Sequence, residues 1–155
     1  MPGTEIKQYV IFRLGSEEYG FDVATVREIH DVGDLAKVHR AASHIEGVMN
    51  LRGKLLTVVN MRKRFQMESA EVPQQQKIVV IEAPDAPVGF LVDEVVEVAR
   101  IPDELLEKPP AYVTSGIEAE YVTNIAKYDN RLITIVNPVK ILELSADYES
   151  GPGGR

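Results

Sequence analysis

The 155-residue chain is 45% hydrophobic, carries a formal net charge of −7 and contains no cysteine. The missing thiols exclude disulfides, thiolate metal sites and thiol chemistry, and the acidic balance argues against general nucleic-acid binding. No apolar run approaches the ~20 residues that span a bilayer, and MPGTEIKQ lacks the basic and apolar regions of a secretory signal, so a cytoplasmic protein is expected.

In chain order, YVIFRL, GSEE and YGFDV (9–23) read as two short strands joined by a turn, because aromatic and β-branched residues flank Gly15 and Ser16. After Val23 the apolar spacing slips from two to three (Val23, Val26, Ile29), which suits a bulge or a single helical turn. ASHIE, NMRKRF, IPDELLEK and PVKILELS carry short helical signals, with Pro102 placed like a first-turn proline. KLLTVVN (54–60) and RLITIVN (131–137) are strands preceded by the turn dipeptides RG and DN. IVVIEA, PDAP and VGFLV repeat the opening hairpin in other residues, with Gly20 and Gly89 inside strand patterns, as at a bulge or a close backbone approach. The polar EVPQQQ (71–76) reads as a joint and 146–155 as a flexible tail.

These resemblances are one duplication. An offset of 69 lays 9–29 over 78–98 without a gap, placing Val10 on Val79, Gly20 on Gly89, Glu28 on Glu97 and Ile29 on Val98; KLLTVVN and RLITIVN need an offset of 77, so the second copy has the longer middle, around EKPPAYVTSGIEAE. Many short strands with few helices predict an all-β fold of two tandem small barrels of about five strands each, with a cleft between them. The subdomains fall at about 9–70 and 77–145, with intertwining allowed for at the termini.

Chemistry is sparse. His30, His39 and His44 have no metal-ligand spacing, there is no GxSxG, P-loop or GxGxxG motif, and Asp93 and Glu94 are neighbours in a strand pattern, which puts them on opposite faces. No catalytic, metal or cofactor residue is therefore assigned. Between Lys37 and Arg64 seven bases meet one acid, Glu46, so that segment carries +6 and the remainder −13. Such segregation either steers a partner of complementary charge or covers a solvated edge. Within it, in HIEGVMNLRGKLLTVVNMRKRF (44–65), Gly47 and Gly53 bracket a loop in which Asn50 and Arg52 interrupt an otherwise apolar run, so that an arginine is presented on a turn between two strands. Its five-donor fork suits either a partner's carboxylate or the carbonyls of its own loop. Read from the residues alone, Val26, Ile29, Val95 and Val98, equivalent positions in the two copies, are either core or interface, and such positions are more often core.

EYGFDVATVREI, IEGVMNLRG and VGFLVDEVVEVARI, in this order and spacing, resemble the CheW family of bacterial chemotaxis coupling proteins, from about Tyr9 to Leu144. The fold is shared with CheV proteins and with the regulatory domain of the CheA kinase. A chain without receiver or kinase core fits CheW itself. The resemblance implies two SH3-like five-stranded barrels and a non-catalytic adaptor that links the cytoplasmic tip of chemoreceptors to the CheA regulatory domain. It is recruited to receptor arrays without entering the membrane. It further implies partner contacts at Val26, Glu28 and Ile29, at Gly47, Asn50, Leu51, Arg52 and Gly53, and at Gly89, Val95 and Val98, the last three facing the groove between barrels. Relatives often carry Val-Pro-x-x-Pro where this chain has VHRAA (38–42), and Pro and Asp where it has Thr57 and Asn60. The lost prolines predict a more flexible, partly helical approach to Gly47 and allow a divergent chemosensory system that does not control motility. A reading of another class, a small barrel binding single-stranded nucleic acid, finds only Phe65 as an aromatic near the basic strip.

Overall fold

The computed structural model describes residues 5–65, 67, 75–110 and 118–142. Most of EVPQQQ, the middle of EKPPAYVTSGIEAE and the 146–155 tail lie outside the described residues.

Among the described residues eleven strands form two sheets. The first is built from β1 (Ile6–Leu14), β2 (Glu17–Asp22), β8 (Glu94–Pro102), β9 (Leu106–Glu107), β10 (Val122–Tyr128) and β11 (Arg131–Val136), in the order β8-β1-β2-β11-β10-β9. The second is built from β3 (Val26–Asp31), β4 (Ile45–Leu51), β5 (Lys54–Asn60), β6 (Lys77–Ile81) and β7 (Val88–Val92), in the order β3-β6-β7-β5-β4. The expected five strands per sheet thus hold for one sheet, and the two-residue β9 makes the other six-stranded.

The two orders are the same once the copies are aligned. β1 and β2 correspond to β6 and β7, β3 to β8, and β4 and β5 to β10 and β11, and even the register of the parallel pair repeats, Ile135 lying opposite Gly20 as Val58 lies opposite Gly89. Each sheet nevertheless takes its hairpin from one copy and its remaining strands from the other. The compact units accordingly run 13–15 with 26–95, and up to 12 with 16–25 and from 96 onward. These do not coincide with the sequential bounds 9–70 and 77–145; the intertwining involves the opening hairpins.

Period-two alternation explains the cores. Tyr9, Ile11, Ala126, Ile133 and Ile135 cluster in the first sheet, and their counterparts Ile78, Val80, Met49, Leu56 and Val58 cluster in the second. Each large aliphatic side chain buried this way contributes roughly 1.5–3 kcal/mol. The strand glycines mark close approaches rather than bulges. A Cβ on Gly89 would lie 2.6 Å from Cγ2 of Ile78 and 3.1 Å from Cδ2 of Leu56. Ile78 is fully buried and β-branched, so its side chain is stiff at χ1 and yields little. Gly89→Ala is expected to cost about 1–3 kcal/mol, read as a lowered urea midpoint with unchanged slope. Gly20→Ala should cost less, since its nearest neighbours are the Cδ1 ends of Ile135 and Ile11, at 3.0 and 3.2 Å.

The spacing slip after Val23 holds both expected devices, a 3-10 turn over Val23–Thr25 and a bulge between Val26 and Glu28. Asn60 and Asn137, the last residues of the repeated heptapeptides, are helix caps. Oδ1 of Asn60 accepts from Lys63 N at 3.1 Å and opens α1 (Met61–Arg64); Oδ1 of Asn137 accepts from Val139 N at 2.9 Å in front of α3 (138–142). Between them lies α2 (Glu118–Tyr121), a turn the sequence reading missed. Two other helical expectations fail. ASHIE ends in a turn and enters β4 at Ile45, because its apolar residues join the sheet pattern. IPDELLEK gives only a 3-10 turn over Asp103–Leu105, with Pro102 as its cap and Leu106 drawn into β9 beside Ala126.

Candidate functional site

The expected loop between Gly47 and Gly53 is mostly strand. β4 runs to Leu51 and pairs with β5 from Leu51 opposite Lys54, leaving a two-residue turn of Arg52 and Gly53, with φ of 52° and 84°. Both residues in the left-handed region make this the tight hairpin turn that follows strand twist. Oδ1 of Asn50 accepts from Gly53 N at 2.9 Å and holds it. Arg52 is therefore lifted off the sheet edge, with 61% of its side-chain surface exposed.

The guanidinium does not bond carbonyls of its own loop. Nη2 of Arg52 donates to Oε2 of Glu28 on β3, whose Oε1 lies 2.8 Å from Nε2 of His30. Two residues assigned independently to partner contacts, Glu28 and Arg52, are thus one ion pair. Its hydrogen bond to Arg52, followed by that to His30, holds the Glu28 carboxyl at about 2, well below the usual carboxylate range. A carboxyl depressed on folding stabilises the native state above its unfolded value of about 4.3 and loses that contribution as pH falls toward 2. Arg52→Gln is expected to move the Glu28 midpoint back toward the ordinary value, observable in a carboxyl NMR titration, and to flatten the stability profile between pH 4.3 and 2.

Beside this pair the second sheet carries a groove of about 510 Å³, lined by Glu28, Arg52, Lys54, Leu55, Leu56 and Pro87 among others. Leu55 is 74% exposed. Lys54 and Leu55 were not singled out from sequence, yet the signal was there: period two, with Leu56 and Val58 buried, turns Leu55 outward. The same alternation corrects the core assignment of four residues. Ile29 and Val98 are 40% and 48% exposed, and Val26 and Val95 are half-buried.

Two expected partner residues also have internal tasks. A Cβ on Gly47 would stand 2.6 Å from the carbonyl oxygen of Ala36. That approach lets residue 36 bridge Val48, with N–O distances of 2.9 and 2.8 Å. The 32–44 stretch is hence strapped to β4 through an isolated bridge and turns, with no helix, contrary to the helical approach expected of VHRAA. Gly89 packs under Ile78 and Leu56, as described above.

Three of the seven bases of the strip stand beside acids. Arg62 forms a fork with Asp93, Arg52 pairs with Glu28, and Lys63 lies 3.8 Å from Glu46. Asp93 and Glu94 do diverge: Asp93 is buried against Arg62 and Gly15 N, while Glu94 pairs with Arg13. Among the described residues no group of three or more His, Cys, Asp or Glu is placed to hold a metal ion. Among the described residues no helix is long and apolar enough to cross a membrane.

Two sheets of one strand order, each with one parallel pair among antiparallel ones and one flanked by an ion-paired turn and a groove, define a tandem SH3-like barrel protein. Residues 8–146 match the CheW-like domain, and the chain belongs to the CheW family. It is 31% identical to the chemotaxis protein CheW of Thermotoga maritima over 132 residues, 85% of each chain. Against the chemotaxis protein CheW of Treponema pallidum it is 29% identical over 138 residues, 86% of this chain and 81% of that one. The crystal structure of the scaffolding protein TtCheW from Thermoanaerobacter tengcongensis superposes with a TM-score of 0.82 at 32% identity, covering 90% of this chain and 94% of that one.

Proposed function

We propose that this protein is a non-catalytic cytoplasmic adaptor that couples the tips of chemoreceptors to the regulatory domain of a CheA kinase. The observation that carries the reading is the match to the CheW-like domain from residue 8 to residue 146. The geometry adds a rationale for the division of labour. The kinase domain takes the β3 edge and the β4–β5 turn, where Ile29 and the Glu28–Arg52 pair offer an apolar anchor beside a fixed charge pair. The receptor tip takes Val95 and Val98 of β8, the counterparts of Val26 and Ile29.

The reading is tested by titration calorimetry of the chain with the cognate kinase regulatory domain and, separately, with a receptor-tip fragment. Micromolar or tighter association with at least one of them is expected. Association with neither, together with a salt-dependent complex with an oligonucleotide, would replace the adaptor by a nucleic-acid binder.

A further inference from the structure

Because the two sheets repeat one plan, each serves as a control for the other. Arg131 opens β11 as Lys54 opens β5, and each follows a two-residue turn with positive φ, Asp129 and Asn130 at 54° and 61° in the first sheet and Arg52 and Gly53 in the second. Around Arg131 the site is closed by carboxylates. Glu97 accepts from Nη2, Glu18 lies 3.5 Å from Nη1, Asp129 adds its charge, and the Tyr128 ring sits 5.6 Å below the guanidinium.

Around Lys54 three of these four are exchanged and the fourth is engaged elsewhere. Glu28, counterpart of Glu97, is already bound by Arg52; Arg52 itself stands where Asp129 does; Leu51 replaces Tyr128; and Pro87 replaces Glu18. Among the described residues no carboxylate pairs with Lys54. The groove of about 510 Å³ is lined by both Lys54 and Pro87, and its apolar wall is Leu55 and Leu56; Arg27, Glu28, Arg52 and Asp85 line it too, Glu28 being tied to Arg52 while Asp85 forms no ion pair with Lys54. The second sheet thus keeps the cation, has Pro87 in place of the acid that answers it in the first, and opens apolar surface beside it.

We infer that this groove receives a segment of a partner protein in which a Glu or Asp side chain stands next to a large apolar one. The carboxylate meets Lys54 in the role that Glu18 has toward Arg131, and the apolar side chain covers Leu55 and Leu56. The ammonium is a point charge on a flexible stem, so it can follow an incoming carboxylate, whereas Arg131 is held in a closed cluster. This inference rests on the adaptor reading and names the chemistry of one of its partner contacts.

The test uses the intact chain and the two partner fragments, the kinase regulatory domain and the receptor tip. Lys54→Gln removes the cation, Lys54→Arg keeps it, and Pro87→Glu restores in cis the acid found at Glu18 and so fills the groove from within. Lys54→Gln and Pro87→Glu are each expected to weaken one of the two associations about tenfold or more at low salt, with Lys54→Arg close to the parent and the loss shrinking as salt rises. Should the parent bind and both variants bind as tightly, the inference falls and the adaptor reading stands. Should the parent bind neither fragment, the adaptor reading falls and takes the inference with it. Lys54→Gln alters an exposed side chain, so it decides the matter if Pro87→Glu does not fold.

Discussion

Asp93→Ala is expected to destabilise the protein by about 3–5 kcal/mol, the cost of stripping one partner from a buried ion pair. Asp93 is 5% exposed and accepts from Nε of Arg62 at 2.8 and 3.0 Å, from Nη2 at 2.6 Å and from the backbone N of Gly15 at 2.7 Å. Its removal leaves the Arg62 guanidinium, 18% exposed, without its carboxylate and the Gly15 N–H without its acceptor. For a protein of this length that loss corresponds to a fall of roughly 6–20 °C in melting temperature. Replacing Arg62 and Asp93 together by apolar residues of similar volume should recover much of the loss, because the penalty is an orphaned charge rather than a missing attraction. A single-variant loss below about 1 kcal/mol would show that Arg62 swings out to solvent.

Arg52→Glu should leave stability within about 1 kcal/mol of the parent while weakening coupling by about 2 kcal/mol or more, roughly 30-fold. The stability side follows from exposure: a pair held at the rim by water-facing groups is screened, so breaking it costs little. The binding side follows from sign. The substitution places a carboxylate opposite Glu28 and beside Lys54, reversing the charge on the rim of the groove. Thermal melting and calorimetry on the same preparation separate the effects. A variant that melts early and binds normally would assign Arg52 to bracing β3 against the turn.

Much of the architecture was legible in advance because it is written in local, repeating terms. Period-two alternation in KLLTVVN and RLITIVN marks a buried and an exposed face, and their terminal asparagines sit where a helix begins. The offsets of 69 and 77 guarantee that whatever one copy does, the other can do. Short helical signals were less reliable, since ASHIE and LLEK carry apolar residues that a neighbouring strand can recruit, and pairing then outweighs a propensity of a few tenths of a kcal/mol per residue.

From the sequence alone came the duplication, the all-β class, the turns at Arg52 and Asn130, the lack of familiar catalytic motifs and the resemblance to the CheW family. Only the tertiary structure decided that the opening hairpins are exchanged between copies, that Glu28 is the partner of Arg52, that Arg62 is consumed by Asp93, and that Lys54 faces a groove where Arg131 faces acids. The reason is physical: spacing along a chain determines which face a side chain takes, but strand pairing and ion pairing join residues tens of positions apart, and identical repeats are equally satisfied by pairing within a copy or across copies.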